Sequence, residues 1–559
     1  MGLFKKITSL FLIIACVHVF SEDTVHKEHI LYLMQAQKFK QALTNYKEYC
    51  SQNKKPDFDL LQKLAYIVLE QGSQNSEEDI QMLTMFGAGQ ARSIKSISIL
   101  SKGLENPNPK IQLVALHFLS NLQDDQIDSY LLKAMSSPIL MTRLEALYMM
   151  SKRKHICALG QMEALMNHLP QEFKPLFPEL LSILGTKEAK SYLKTFFHDN
   201  NINVRLASII HASLTGQDDL LPLIQQRAKH PHVAEIEACI FSFSLFNDYS
   251  SIPFIQSMAS HQSENVQLAS HLALYNLGDK SHLSAIEKLA LGGDVFATLC
   301  LGQMEGSENT LVKLLQSHEA SLRANAALAL LEKKDIRALP VIKEFLFSNQ
   351  YDEGLKPVYS LGRTQMAFEV INSASSKKED PMTPLALLQS VKEYVLTKCI
   401  ELPEANFLSL AHELLVEEER DIFPLLISLL QNIKSPQTIA FLKKEALHGK
   451  TPIIRDWCNL ALFKLKEKGP YERYVKNWVQ YQSQNELIQL KEYIPWQMRL
   501  QKDSFNLTAQ EKSSLMMEMI LSLLSRKDIE SVDTVLNVWM KGNEKNRYVL
   551  AGLLMKAIE

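Results

Sequence analysis

The sequence predicts an all-α fold, an α-solenoid of helix pairs stacked side by side. Three observations carry that prediction. Helix-start segments recur about every 31 residues. Apolar residues within the helices recur three and four apart, the spacing that puts them on one helical stripe. Continuous alternation of period two, the mark of β-strands, is absent.

The recurrence runs through Ile111-Gln112-Leu113-Val114-Ala115, Thr142-Arg143-Leu144-Glu145-Ala146, Phe173-Lys174-Pro175-Leu176, Val204-Arg205-Leu206-Ala207-Ser208, Ile236-Glu237-Ala238 and Val266-Gln267-Leu268-Ala269. Their second positions are 112, 143, 174, 205, 237 and 267. A period of this size marks stacked structural units, each unable to bury its apolar face alone. The helical stripe shows in Leu113, Leu116, Phe118, Leu119 and Leu122, and again in Leu322, Ala326, Leu328, Leu330 and Leu331. Between helices stand turn residues with a mechanism. Asn106-Pro107-Asn108-Pro109 stops one helix and opens the next, and His198-Asp199-Asn200-Asn201 supplies side-chain caps before Val204.

The best matches to an apolar-Arg-x-x-small helix start are Val204-Arg205-Leu206-Ala207-Ser208 and Leu322-Arg323-Ala324-Asn325-Ala326. On these residues the chain resembles the HEAT-repeat family, in its short-period bacterial form. The resemblance implies a ladder of hydrogen bonds between neighbouring units, with Arg143, Arg205, Arg323 and Arg455 as members. Gln112, Lys174, Glu237 and Gln267 depart from the pattern, so a broken ladder is expected. Near the N-terminus, Gln37-x-Phe39-x-x-Ala42-x-x-x-Tyr46 resembles the middle of one tetratricopeptide hairpin. Both resemblances specify architecture and leave function open.

Composition excludes several classes. Hydrophobic residues make up 46% of 559, too many for a largely disordered chain. Sixty basic against 62 acidic residues leave a net charge of −2, so no whole-chain basic field points to nucleic acid. The seven cysteines, Cys16, Cys50, Cys157, Cys239, Cys300, Cys399 and Cys458, form no CxxC or zinc spacing. Cys157, Cys239, Cys300 and Cys458 sit in apolar helical stretches and read as buried free thiols.

Residues 1–21 read as a secretory signal. Lys5 and Lys6 precede an apolar run from Ile7 to Phe20, too short for a comfortable membrane span. Three fates stay open: cleavage after Ser21, lipidation of Cys16 within Ile13-Ile14-Ala15-Cys16, or an uncleaved anchor. Each puts the folded chain in the periplasm or cell envelope, or outside the cell.

The organisation read from the sequence is therefore a signal peptide (1–21), TPR-like hairpins (22–78), a HEAT-like array (79–371), a polar linker (372–384), a second repeat segment (385–470) and a C-terminal helical cap (471–559). The linker is Asn-Ser-Ala-Ser-Ser-Lys-Lys-Glu-Asp-Pro-Met-Thr-Pro.

No catalytic, cofactor-binding or metal constellation emerges. GxGxxG, GxxxxGK[ST], GxSxG and HExxH do not occur in a usable context. Gly87-Ala88-Gly89 lacks a third glycine and a preceding strand. His230-Pro231-His232 reads as a solvated turn, and His261, His271 and His282 as scattered over different turns and helices. The segment that stands out is Lys491 to Arg499. Tyr493, Trp496, Met498 and Arg499 together have the composition of an exposed protein-contact hot spot, although core packing accounts for Trp496 equally well. The expected function is that of an exported, non-catalytic scaffold binding a protein or envelope partner along its concave surface. The alternative is a helical-repeat enzyme acting on an envelope polymer. Nucleic acid is not an expected partner, and membrane contact is expected only through the signal segment or a lipidated Cys16.

Overall fold

The computed structural model describes residues 27–347, 354–371, 385–481, 486–500, 502 and 505–559. The signal segment, Cys16 and the 372–384 linker lie outside the described residues. The chain is all-α, built of repeated helix pairs, with one short β-hairpin among the described residues.

Most pairs join a short first helix to a longer second helix. Leu140–Lys152, Ile202–Leu214, Val233–Leu245, Glu264–Asn276 and Ala320–Glu332 are five second helices of 13 residues each. Among these five, only Ile202–Leu214 starts with a side-chain cap, and the related helix Pro109–Ser120 has another. Asn201 accepts from the Asn203 N–H at 2.9 Å, and Asn108 from the Lys110 N–H at 2.9 Å.

Their ends are more regular than their starts. Lys154, Gly185, Gly216, Asn247 and Gly278 all adopt positive φ, and each lies 31 residues from the last. The residue after each of Lys154, Gly216, Asn247 and Gly278 donates back to a carbonyl five positions earlier, as Gln217 does to Ala212 and Asp248 to Phe243, both at 2.9 Å. This left-handed closure satisfies orphan helix carbonyls and turns the chain into the next first helix.

The arginine positions work within a unit. Arg205, Arg323 and Arg455 each donate to the carbonyl six residues earlier, on Asp199, Ser317 and Gly449, at 2.6, 2.9 and 2.7 Å. Gln112 and Gln267 do the same to Asn106 and His261, both at 2.6 Å. A glutamine amide reaches the same carbonyl that a guanidinium reaches, so the substitution from Arg to Gln is not a break. Glu237 was matched one residue out of register, since Ile236 holds the equivalent place when the helix starts are aligned. Lys174 lies in a 3₁₀ turn and pairs with Asp199 at 2.5 Å. At one arginine position a contact also runs between neighbouring repeats: Arg205 reaches Glu235, which also receives Arg227.

The described residues fall into two compact units that do not follow the boundaries read from the sequence. One comprises the described residues within 27–130, 434–493 and 506–559, the other those within 131–433 and 494–505. In the first, the last helix, Arg547–Ile558, packs near the beginning of the described chain, against Phe58–Ser73 and Glu78–Gln90. A Cβ at Gly552 would stand 1.9 Å from the Gly87 carbonyl oxygen, so bare backbone meets backbone there. Gly87 supplies that close crossing, while Gly89 leaves room for the Phe118 ring. Phe39, from the TPR-like motif, packs edge-on to Trp539 at 5.2 Å in the same unit.

In the second unit, the second helices are buried nearly all round; Ala324 to Leu331 is buried without a break. First helices cover one side and neighbouring second helices the flanks. Part of what covers the rest is the β-hairpin, which the sequence reading missed. β1 (Gly354–Tyr359) pairs antiparallel with β2 (Met366–Ile371), with Pro357 opposite Phe368. The hairpin is too short, and its alternation too weak, to register as continuous β patterning.

The six described cysteines are free. Cys50, Cys239, Cys399 and Cys458 are buried, but Cys157 is exposed at a helix start and Cys300 is half-buried. The expectation of burial fails for Cys157 because it occupies the first turn, outside the apolar stripe of its helix.

Candidate binding surface of the second helices

Within the second unit, polar side chains on second helices hold main chain from elsewhere in the sequence. Asn325 is the simplest case. At a position facing Pro357, which has no N–H to give, the Phe368 amide and carbonyl point away from β1. Asn325 satisfies both, accepting from the N–H at 2.9 Å and donating to the carbonyl at 2.7 Å. Two residues on, the Val370 N–H donates to Ser321 Oγ at 3.2 Å. The match is geometric. Residues four apart on a helix stand about 6 Å apart, and residues two apart on a strand about 6.8 Å.

Glu237 holds the hairpin's turn. Its carboxylate accepts from the Gly362 N–H at 2.8 Å, from Thr364 Oγ1 at 2.6 Å and from the Ser360 hydroxyl. A Cβ at Gly362 would stand 2.8 Å from the Ala234 carbonyl, so only glycine admits this approach. Burial pushes the Glu237 carboxyl up, and the three hydrogen bonds pull against that shift.

Residues 494–505 are held by a different set. Glu145, on helix Leu140–Lys152, accepts from the Trp496 N–H at 2.6 Å and pairs with Arg499 at 3.2 Å. Three residues along the same helix, Tyr148 stacks on the Trp496 indole, with centroids 4.8 Å apart and planes within 3°. Arg499 also donates to the Ile494 carbonyl at 2.9 Å and lies over the Phe505 ring at 4.4 Å. Lys502 sits over the other ring system, 5.0 Å from Trp496, and donates to Glu179 at 2.5 Å.

The exposed hot spot expected at Tyr493, Trp496, Met498 and Arg499 is therefore corrected. Trp496 is 0% exposed and the Arg499 side chain 5%, both spent on contacts inside the unit. Core packing, which accounted for Trp496 equally well in the sequence, is where the structure puts it. Met498 remains exposed, at 40%. Tyr493 belongs to the first unit, where its ring lies 6.1 Å from His117. Those four residues do not form one surface. Glu145, Tyr148, Glu179, Glu237 and Asn325, which hold the hairpin and the 494–505 stretch, were not read as binding residues from the sequence.

One sequence signal could have found two of them. Glu145 and Asn325 stand two residues after the Arg/Gln position, where Ala207 and Ala269 stand in other units. A polar residue in place of a small one, inside an apolar repeat, marks a buried polar group that needs a partner.

Where 494–505 and the hairpin turn approach one another, His211 of helix Ile202–Leu214 lies 3.9 Å from Glu179. Burial, then the positive charges of Lys502 and Arg363, push His211 down to about 3. Burial pushes Glu179 up, and Lys502 opposes it. Elsewhere, the structure joins two histidines that the sequence left apart. His271 and His282 meet at 2.8 Å between Nδ1 atoms, with ring centroids 5.0 Å apart, so the nitrogens face head-on as a hydrogen bond. Among the described residues no three His, Cys, Asp or Glu side chains converge as metal donors, and no helix is long and apolar enough to cross a membrane.

No family model matches this chain, and no curated protein matches it. Solved structures do resemble it. The complex of CpcE and CpcF of phycocyanin lyase from Nostoc sp. PCC7120 is 18% identical over 39% of this chain and 92% of that one, with a TM-score of 0.29. A Kap121p mutant is 12% identical over 93% and 68%, with a TM-score of 0.31. UNC-45 from Drosophila melanogaster is 11% identical over 95% and 82%, with a TM-score of 0.29. Likenesses this distant add nothing about activity. The HEAT-like repeat fold stands on the helix pairs and their 31-residue closure.

Proposed function

We propose that this chain is an exported helical-repeat scaffold that binds another protein through the second-helix surface of residues 131–433 and performs no catalysis. One observation carries the reading. In that unit the second helices already seize irregular and extended main chain with Glu145, Glu237, Ser321 and Asn325. Side chains that satisfy main-chain N–H groups hold a segment largely irrespective of its sequence, which is what a scaffold for polypeptides needs. Export rests on Lys5, Lys6 and the apolar run to Phe20. The enzyme alternative needs carboxylates available to a substrate. Of the buried ones in this unit, Glu145, Glu179, Glu235, Glu237 and Glu419 are each bound to an arginine, a lysine or a hairpin turn, and Asp248 to the serines of its own turn.

Leu214 and Leu245 end successive second helices and are 59% and 44% exposed. A photo-crosslinking residue at either place, in cells then fractionated, tests the reading. One and the same protein captured from both places, in the envelope fraction, is the expected result. A cytoplasmic chain, or no common adduct, would sink it.

A further inference from the structure

Resting on the scaffold reading, we propose that Glu145, Tyr148 and Glu179 form a peptide site. Its ligand is a partner's irregular segment with an aromatic residue, an arginine three positions later and a lysine three beyond that. Residues 494–505 show the fit from within the chain. Trp496, Arg499 and Lys502 have this spacing, and each meets its own receptor group: the Tyr148 ring, the Glu145 carboxylate and the Glu179 carboxylate.

Three features make this a site and not ordinary core. The receptor groups stand on two regular helices, Leu140–Lys152 and Phe177–Leu184, so the repeat itself fixes their positions. The described residues of the segment they hold are irregular apart from the 3₁₀ turn Trp496–Met498. And these twelve residues are the only part of the C-terminal tail assigned to this unit; the tail on both sides, 434–493 and 506–559, belongs to the other. Charge sets the selectivity: two carboxylates beneath the groove reject an acidic segment, and the stacked Tyr148 favours a flat ring over an aliphatic side chain. A partner segment of this pattern takes the groove by displacing 494–505.

The probe is a fluorescein-labelled peptide of residues 494–505, titrated by anisotropy into the full chain. Wild type should bind weakly, because its own segment competes. A Trp496→Ala, Arg499→Ala variant should bind at least tenfold more tightly, and adding Glu145→Gln should abolish the gain. A folded double variant that does not bind, or that binds equally well with Glu145→Gln, overturns the proposal. Dimers of the double variant with wild type would also overturn it, since a second copy would then be the occupant. If the double variant does not fold, hydrogen exchange on wild type decides. Excess peptide should speed exchange of the Trp496 amide, and an unchanged rate rejects the site. A partner crosslinked at Leu214 and Leu245 without peptide binding would sink this inference and leave the scaffold standing; peptide binding without a partner would do the reverse.

Discussion

The hairpin 354–371 and the segment 494–505 rest on the same kind of helix and are held by different physics. The hairpin pairs most of its own backbone, so the helices need only supply the groups along β2 and the turn. Neutral Asn325 and Ser321 suffice along the strand. The described residues of the segment are irregular, and the contacts that hold them include two charged pairs, a stacked aromatic and the Trp496 N–H on the Glu145 carboxylate. The difference is one of dependence. A structure that satisfies itself can be docked by neutral hydrogen bonds, each worth about 1 kcal/mol net. One that does not must be pinned by groups whose loss leaves a charge stranded.

That contrast is sharpest at Glu145. Both its side chain and that of Arg499 are removed from water, at 0% and 5% exposure. Glu145→Ala should destabilise the second unit by about 3–5 kcal/mol, because Arg499 would stay buried without its partner. Glu145→Leu with Arg499→Leu should recover most of that loss, since an apolar pair replaces a buried ion pair at little cost. Urea unfolding of the two variants measures this. Single and double variants of equal stability would show that the pair contributes nothing to holding the segment.

Asn325→Ala should cost less, about 1–3 kcal/mol, for two buried main-chain groups left without partners. The loss should be local. Amide exchange at Phe368 should rise while exchange at Trp496 is unchanged, since the two anchors lie on separate second helices. Acceleration at both would mean that the hairpin and the segment form one cooperative element, and the comparison would fail.

Acid should separate them further. His211 is depressed to about 3, below its usual value near 6.5, by burial and by Lys502 and Arg363. A depressed histidine contributes stability above its unfolded pKa and loses it as pH falls through the window from about 6.5 to 3. Glu179, raised by burial, works in the opposite sense, favouring the folded state once protonated. Comparing wild type with His211→Gln at each pH cancels the Glu179 contribution. Wild type should lose at most about 2 kcal/mol relative to the variant between pH 6.5 and 5. Parallel stability curves would place His211 in contact with water and remove the electrostatic coupling between segment and turn.

Most of the repeat was legible because it is local. Helix starts, caps such as Asn108 and Asn201, and the apolar stripe all depend on residues within one turn of each other. The tail packing onto Glu78–Gln90, and Trp496 meeting Tyr148, depend on residues hundreds of positions apart, and no spacing rule reaches that far. Trp496 and Arg499 looked like a contact surface because buried and interfacial hot spots share one composition. They do make such a contact; their partner is within the chain. Glu145 and Asn325 were legible in principle, as polar residues in an alanine position, but only once the unit boundaries had been aligned without the one-residue slip at Glu237.

The smallest effect tests that alignment. Gln267 sends its amide to the His261 carbonyl six residues back, as Arg323 does to Ser317. If the two side chains are equivalent caps of the preceding turn, Gln267→Arg should change stability by less than about 0.5 kcal/mol. Gln267→Leu, similar in bulk but with no donor, should cost about 1–2 kcal/mol by leaving that carbonyl without its side-chain partner. Thermal unfolding resolves the two. A costly arginine would mean that the position reads something specific to its neighbours, and that the units carrying glutamine are a distinct class of repeat.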